Sequence, residues 1–185
     1  MTDAPAYDRA VAALRRGGIV AYPTEAVYGL GCDPANAAAV ARLLDLKQRP
    51  QSKGLILIAA DEAALQPWLA PIDVTTEARI GPTWPGPTTW LLPTAADCPE
   101  FLRGEHETLA VRVTAHPIAA ALCRAWGGAL VSTSANRSGG EPVRDATSAR
   151  ELFGAGVDAV VEGAVGDLDR PTPIRDARTG RTLRE

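Results

Sequence analysis

Histidine and cysteine are scarce in this chain. Its two histidines, His106 and His116, and three cysteines, Cys32, Cys98 and Cys123, lie far apart, with no Cys-x-x-Cys pair. That spacing argues against a dedicated zinc site and a disulfide framework; an odd number of separate thiols is the usage of a reducing cytoplasm. No apolar run approaches the ~20 residues of a membrane span, and Met1 to Asp8 lacks the basic-then-apolar order of a signal peptide. Positive charge is in deficit too: 19 Lys and Arg stand against 22 Asp and Glu, for a net charge of −3. A protein that coats nucleic acid by charge alone is basic. The chain has no Gly-Lys-Ser/Thr of a Walker loop and no Gly-x-Ser-x-Gly, and Gly29-x-Gly31 lacks the third glycine of a dinucleotide fingerprint.

What is present describes a globular unit. Of 185 residues 46% are hydrophobic and 22% charged, which predicts one domain over 1–185 with a real core. Tyr7, Val11 and Leu14 share a face of a helix over Asp3–Arg16, stopped by Gly17-Gly18. Ile19–Tyr22 reads as a strand ended by Pro23, and Asp33-Pro34 as the cap opening a helix over Asn36–Lys47. Further strands are expected over Gly54–Ala59, Thr88–Leu92, Thr108–Val113, Ala129–Val131 and Ala159–Val161, and a tail hairpin joins Ile174–Asp176 to Thr182–Arg184. Helices are expected after Asp61, with Leu65, Trp68 and Leu69 inward, over Thr75–Ile80, from Pro117 to Trp126, and from Asp145 to Phe153. His116, at a helix start, reads as structural. Alternation followed by hairpins predicts an α/β fold: a twisted, mixed parallel and antiparallel sheet with flanking helices.

Three stretches carry chemistry. Lys47 continues the apolar face of Val40, Leu43 and Leu44, so it points inward. Pro50 forces Arg49 out of the helix, and Lys53 follows across the turn. Three cations at the mouth of a buried strand suit an anion; the plainer reading is favourable charge at a helix C-terminus. Arg112 interrupts the apolar run Leu109–Val113, and a buried arginine needs an anion or several acceptors. Ser132–Gly140 places hydroxyls, an amide and glycines where a buried strand ends, either a ligand-binding edge or a polar loop bonded to its own backbone. The tail adds Arg170, Arg175, Arg178, Arg181 and Arg184. Trp84 is either a base-stacking platform or a core residue.

Together Tyr22-Pro-Thr-Glu-Ala-Val-Tyr-Gly-Leu-Gly-Cys, Leu46-Lys-Gln-Arg-Pro, Trp84-Pro-Gly-Pro, Leu109-Ala-Val-Arg-Val, His116-Pro and Val131-Ser-Thr-Ser-Ala-Asn resemble the YrdC-like domain family. The likeness runs from Ile19 to the tail and is closest to the short bacterial threonylcarbamoyl-AMP synthases, the TsaC type. It implies a YrdC-like fold with a concave basic groove. It implies a cytoplasmic nucleotidyltransferase that condenses L-threonine, bicarbonate or CO2, and ATP to threonylcarbamoyl-adenylate and pyrophosphate. Partner proteins would then modify adenosine 37 of tRNAs reading codons that begin with A. By that resemblance Lys47, Arg49, Ser134 and Asn136 are catalytic. Lys47, Arg49, Lys53, Thr108, Asn136, Arg144 and Arg184 would contact ATP; Thr24, Arg112, Ser134 and Thr172 would face threonine and bicarbonate. Magnesium would arrive on the nucleotide, with no metal held by the protein.

The chemistry is consistent with the resemblance. Both reactants are anions, so cations must screen their approach, and positioning with charge stabilisation carries the rate without a covalent nucleophile. Arg112 could pair bidentately with a carboxylate. Ala26 and Ile58 stand where longer relatives often have Thr and His, and Thr172 where serine is commoner. Two other readings remain: a double-stranded RNA or tRNA-binding module, with weak RNA contact through the same groove, and a carbamoyl-adenylate enzyme of the hydrogenase-maturation type. The acidic pI near 5.5 opposes the first, and the missing Cys pairs oppose the second.

Overall fold

The computed structural model describes residues 4–184, with side chains from Tyr7 onward. In chain order the elements are α1 (Ala4–Arg15), β1 (Val20–Pro23), β2 (Tyr28–Gly31), α2 (Ala37–Lys47), β3 (Ile56–Ala59), α3 (Val74–Ile80), β4 (Thr89–Pro93) and α4 (Glu100–Arg103). They continue with β5 (Thr108–Val113), α5 (Pro117–Trp126), β6 (Leu130–Ser134), α6 (Ala146–Phe153), β7 (Ala159–Val160), β8 (Ile174–Asp176) and β9 (Thr182–Arg184). Among the described residues nine strands form one sheet in the order β7-β1-β2-β6-β3-β5-β4-β8-β9. β1 with β7, β3 with β5 and β4 with β8 are parallel; the remaining neighbours are antiparallel. The expected mixed sheet is therefore present.

Strand alternation divides the core into two layers. Leu109, Val111 and Val113 of β5 point to one face, where α2, α3, α4 and α6 supply Leu43, Ile80, Leu102 and Phe153. On the opposite face α1 and α5 bring Leu14, Leu122 and Cys123 over Tyr22, Ile58 and Leu130. That second cover is partial. It leaves the side of the sheet carrying Gly29, Ser132, Ile56, Ala110, Leu91 and Ile174 open as a cleft.

Several boundaries depart from the sequence reading. Asn36, not Asp33, caps α2: its Oδ1 accepts from Ala39 N at 3.0 Å. The Asp33 side chain accepts only from Ala35 N, at 2.9 Å, in the turn before it. The expected helix start at Asp3 lies outside the described residues. Asp61 does accept from Ala64 N at 3.0 Å, but the segment makes only a 3-10 turn over Gln66–Trp68. Pro67 has no N–H to extend it. β6 runs on to Ser134 because Thr133 and Ser134 pair with Leu30 and Gly29. Ser132 to Ser134 are thus strand, and the expected loop begins only at Ala135. α4 is four residues long, too short for any periodicity to announce. Asp73 and Asp145 cap α3 and α6 through Thr76 N and Ser148 N, at 2.7 and 2.8 Å. No helix among the described residues is long and apolar enough to cross a membrane.

Candidate active site

The open side of the sheet holds two adjoining hollows that share Arg49, Leu55, Ile56 and Arg184. The first is polar. Period-two alternation along β5 sets Arg112 into it, beside Thr24, Ser132, Thr133, Ser134 and Thr172. The second has a floor of Ile56, Leu91, Ala110 and Ile174, with Lys53 and Thr108 among its lining residues. Of the residues expected at a site, Thr24, Arg49, Arg112, Ser134, Thr172 and Arg184 line the first hollow, and Arg49, Lys53, Thr108 and Arg184 the second. Lys47, Asn136 and Arg144 line neither. Arg144 is exposed and donates to Leu168 O at 3.2 Å.

The basic turn is made by a left-handed residue. Gln48 (φ 53°) ends α2, and Arg49 N turns back to Leu44 O at 2.9 Å. Gly54 (φ 62°) then brings the chain so near Arg103 O that a Cβ there would lie 2.8 Å from it. Arg49 Nη2 donates to Gly54 O at 2.9 Å, while its Nε has no partner among the described residues. Lys47 is 3% exposed and turns behind the cleft wall. Its ammonium donates to Ser134 O, to Asn136 O at 2.8 Å and to Asn136 Oδ1 at 3.3 Å. Burial first, and then Arg49 beside it, lower its pKa to about 8.

Asn136 Oδ1 also accepts from Ser134 Oγ at 2.5 Å, and Nδ2 donates to Arg137 O and Gly140 O. Its amide is spent within the loop, so Ser134 offers the cleft hydroxyl lone pairs. Arg184 reaches in from β9 and donates to Thr172 O at 2.7 Å. Burial lowers its pKa first, followed by the guanidiniums of Arg112 and Arg49. These three cations come from distant parts of the chain and repel one another.

Arg112 is 4% exposed. Nη1 donates to Thr89 Oγ1 and Thr172 Oγ1, each at 2.9 Å, and Nη2 is 3.3 Å from Glu25 Oε2. The expectation of an anion for this arginine is met inside the protein: Glu25 takes it. Glu25, Thr89 and Thr114 were not singled out from sequence. The available signal was a carboxylate inside the apolar-flanked Thr24-Glu25-Ala26, which predicts a buried partner of opposite sign. Thr24 Oγ1 donates to Val27 O at 2.7 Å.

Other residues settle outside the cleft. Trp84 packs against the helix-covered core, with Nε1 on Thr88 O at 2.8 Å, so it is not a platform in the cleft. Ala26 lines the first hollow, whereas Ile58 is fully buried beside Arg112 in register. No group of three His, Cys, Asp or Glu side chains suited to a metal occurs among the described residues.

The family model for Sua5, YciO and YrdC proteins, described as "Telomere recombination", matches residues 12–185. The chain is 59% identical over 175 residues to the threonylcarbamoyl-AMP synthase of Halorhodospira halophila, covering 95% of this chain and 92% of that protein. It is 55% identical over 171 residues to the threonylcarbamoyl-AMP synthase of Nitrosococcus oceani, covering 92% of each. Among solved structures, P. abyssi Sua5 complexed with L-threonine superposes with a TM-score of 0.88 at 30% identity, over 95% of this chain and 52% of that one. The chain thus spans about half the length of that Sua5 protein.

Proposed function

This chain belongs to the Sua5/YciO/YrdC family, and from that we infer that it is a threonylcarbamoyl-AMP synthase, an ATP-using nucleotidyltransferase. The observation that carries the reading is the meeting of Arg49, Arg112 and Arg184 with five hydroxyls in one hollow, next to an apolar floor. Cations clustered in this way suit a polyphosphate, and flat aliphatic strands suit a base. Among the described residues neither Arg49 nor Arg184 forms an ion pair with a carboxylate, which supports a basic groove on an acidic molecule. One unbroken sheet supports residues 1–185 as a single YrdC-like unit.

In the proposed reaction the amine of L-threonine attacks the carbon of CO2 and gives up a proton to water, or attacks bicarbonate with the C–O bond breaking to release water, and either route gives a carbamate. A carbamate oxygen then attacks the α-phosphorus, and the bond to the β-phosphate breaks to release pyrophosphate. Arg49, Lys53 and Arg184 neutralise the triphosphate and the departing pyrophosphate, and Thr108 fixes the nucleotide on the apolar floor. Arg144, on the exposed loop, would join only the outer end of the nucleotide. Thr24, Arg112, Ser134 and Thr172 orient threonine and bicarbonate. Lys47 and Asn136 serve by holding Ser134, since their own hydrogen bonds are already taken. Glu25 is committed to Arg112 and Thr114, so among the described residues the cleft offers no free carboxylate cage. Magnesium would therefore travel on the triphosphate, whose charge it shares.

The product would pass to partner proteins that carry the threonylcarbamoyl group to tRNA. Three unpaired thiols, all buried, suit the cytoplasm. The RNA-binding alternative is not favoured: the relatives matching over nearly their full length carry a synthase name. The test is pyrophosphate release from ATP by the purified protein, which should require both L-threonine and bicarbonate. Equal release without threonine rejects the assignment.

A further inference from the structure

Glu25 stands behind the wall of the cleft, 7% exposed. Oε1 accepts from Thr114 Oγ1 at 2.6 Å, and Thr114 Oγ1 accepts from His116 N at 3.1 Å. Its backbone oxygen takes Leu168 N at 3.2 Å. Oε2 faces Arg112 Nη2 at 3.3 Å. Oε2 accepts no hydrogen bond among the described residues, so its contact with Arg112 is one of charge, and it acts on a guanidinium that lines the cleft.

We propose that Glu25 is a positioning and specificity-determining residue: a built-in counter-anion that aims Arg112 at Thr172 and stops the amino-acid end of the cleft from capturing small anions. This rests on the reading of the cleft as a threonine and ATP site. Three guanidiniums within Coulomb reach of one another attract chloride, sulfate or phosphate as readily as a substrate. A buried arginine left unpaired binds whatever anion can reach it. Glu25 cancels one of the three, at the end where the substrate is a zwitterion of no net charge. Arg49 and Arg184 stay uncancelled beside it, where the polyphosphate lies. Arg112 Nε is buried and has no hydrogen-bond partner among the described residues, so it is the two outer nitrogens that Glu25, Thr89 and Thr172 hold.

The experiment is calorimetric titration of sulfate into the ligand-free full chain, as wild type, Glu25→Asp and Glu25→Gln. Gln keeps the shape and the acceptor for Thr114 but removes the charge; Asp keeps the charge but draws it back from Arg112. Sulfate affinity should rise in that order, by roughly tenfold or more for Glu25→Gln. In turnover, sulfate should inhibit Glu25→Gln competitively with threonine, and the KM for threonine should rise while the KM for ATP moves little. A merely structural glutamate would shift neither the sulfate affinity nor the threonine KM selectively. Equal sulfate affinity across the series overturns the proposal. If Glu25→Gln does not fold, wild-type sulfate affinity in folded Glu25→Asp overturns it as well. The titration needs no substrate, so its failure is distinct from a wild type that lacks threonine-dependent pyrophosphate release.

Discussion

The ammonium of Lys47 lies 2.8 Å from the backbone oxygen of Asn136, at the far end of the β6 edge, and so joins the last turn of α2 to the loop after Ser134. Sequence spacing turned Lys47 inward; the structure shows what it meets there. Replacing it with alanine takes the donor from Asn136 O, removes one of two donors from Ser134 O and from Asn136 Oδ1, and so loosens the support of Ser134. Lys47→Ala should lower turnover at least tenfold, about 1.4 kcal/mol of barrier. Steady-state kinetics at saturating ATP and threonine would show it, and unchanged kcat would remove the lysine from the site's support.

The same lysine gives an alkaline limit. Its pKa is lowered to about 8, so above that pH one of its three N–H donors is lost along with its charge. Threonine-dependent pyrophosphate release should fall above about pH 8. In stability the sign is opposite. The folded pKa lies below the unfolded one, so the unfolded chain binds more protons between the two values and this group's contribution to stability grows as pH rises through that window. A rate that declines while the unfolding midpoint does not would separate the two effects.

Arg49 stands where the hollows meet, so its loss should be felt by the nucleotide above all. Arg49→Ala should raise the KM for ATP at least tenfold, about 1.4 kcal/mol, with a smaller change in the KM for threonine. Equal and small changes in both would take Arg49 out of the proposed phosphate contact.

His116 caps α5 through Nδ1, which accepts from Ala119 N at 3.4 Å, and its Nε2 meets Ala164 O at 3.1 Å. This is the neutral ring with its proton on Nε2. Burial holds the pKa below the ordinary 6.5, opposed by the Ala164 carbonyl and by Glu25. The folded state therefore binds the proton less readily than the unfolded chain. Stability is fully present above the ordinary value and is lost as pH falls from there through the folded pKa. His116→Asn, which can still cap, should flatten that acid loss in urea titrations; an unchanged slope would assign the loss to other groups.

Asn36 and Asp33 offer a direct comparison of two adjacent candidate caps. Asn36→Ala should cost about 1 kcal/mol and Asp33→Ala much less, because only Asn36 satisfies an end donor of α2. Urea midpoints of the two variants would decide, and equal losses would count against the cap.

The sheet was legible because its strands are apolar runs of regular period and its turns carry Gly, Pro and Asp. Leu109–Val113 and Ala129–Val131 could hardly be anything else. Cap choice between Asp33 and Asn36 was not, since both residue types bond a nearby N–H and only the chain path selects one. Pro67 cut short a helix whose inward residues, Leu65, Trp68 and Leu69, were otherwise correctly placed. In the cleft, Arg49, Arg112, Ser134 and Arg184 carried their own signal as polar groups at strand ends or within apolar runs. Glu25 carried only the weak signal of a carboxylate between Thr24 and Ala26, because its arginine stands 87 positions later and pairing across a sheet leaves no local trace of the partner. Lys47 and Asn136 were recognised as a motif, yet only coordinates show that their hydrogen bonds are already occupied.

β9 is where the cleft is completed. Arg184 is contributed by a strand that pairs only with β8, itself at the sheet's margin, while Thr24 comes from the beginning of the chain. During synthesis the hollow stays unfinished until residue 184 has cleared the ribosome. A nascent chain can bury both apolar layers and still lack the one guanidinium that β9 brings to both hollows.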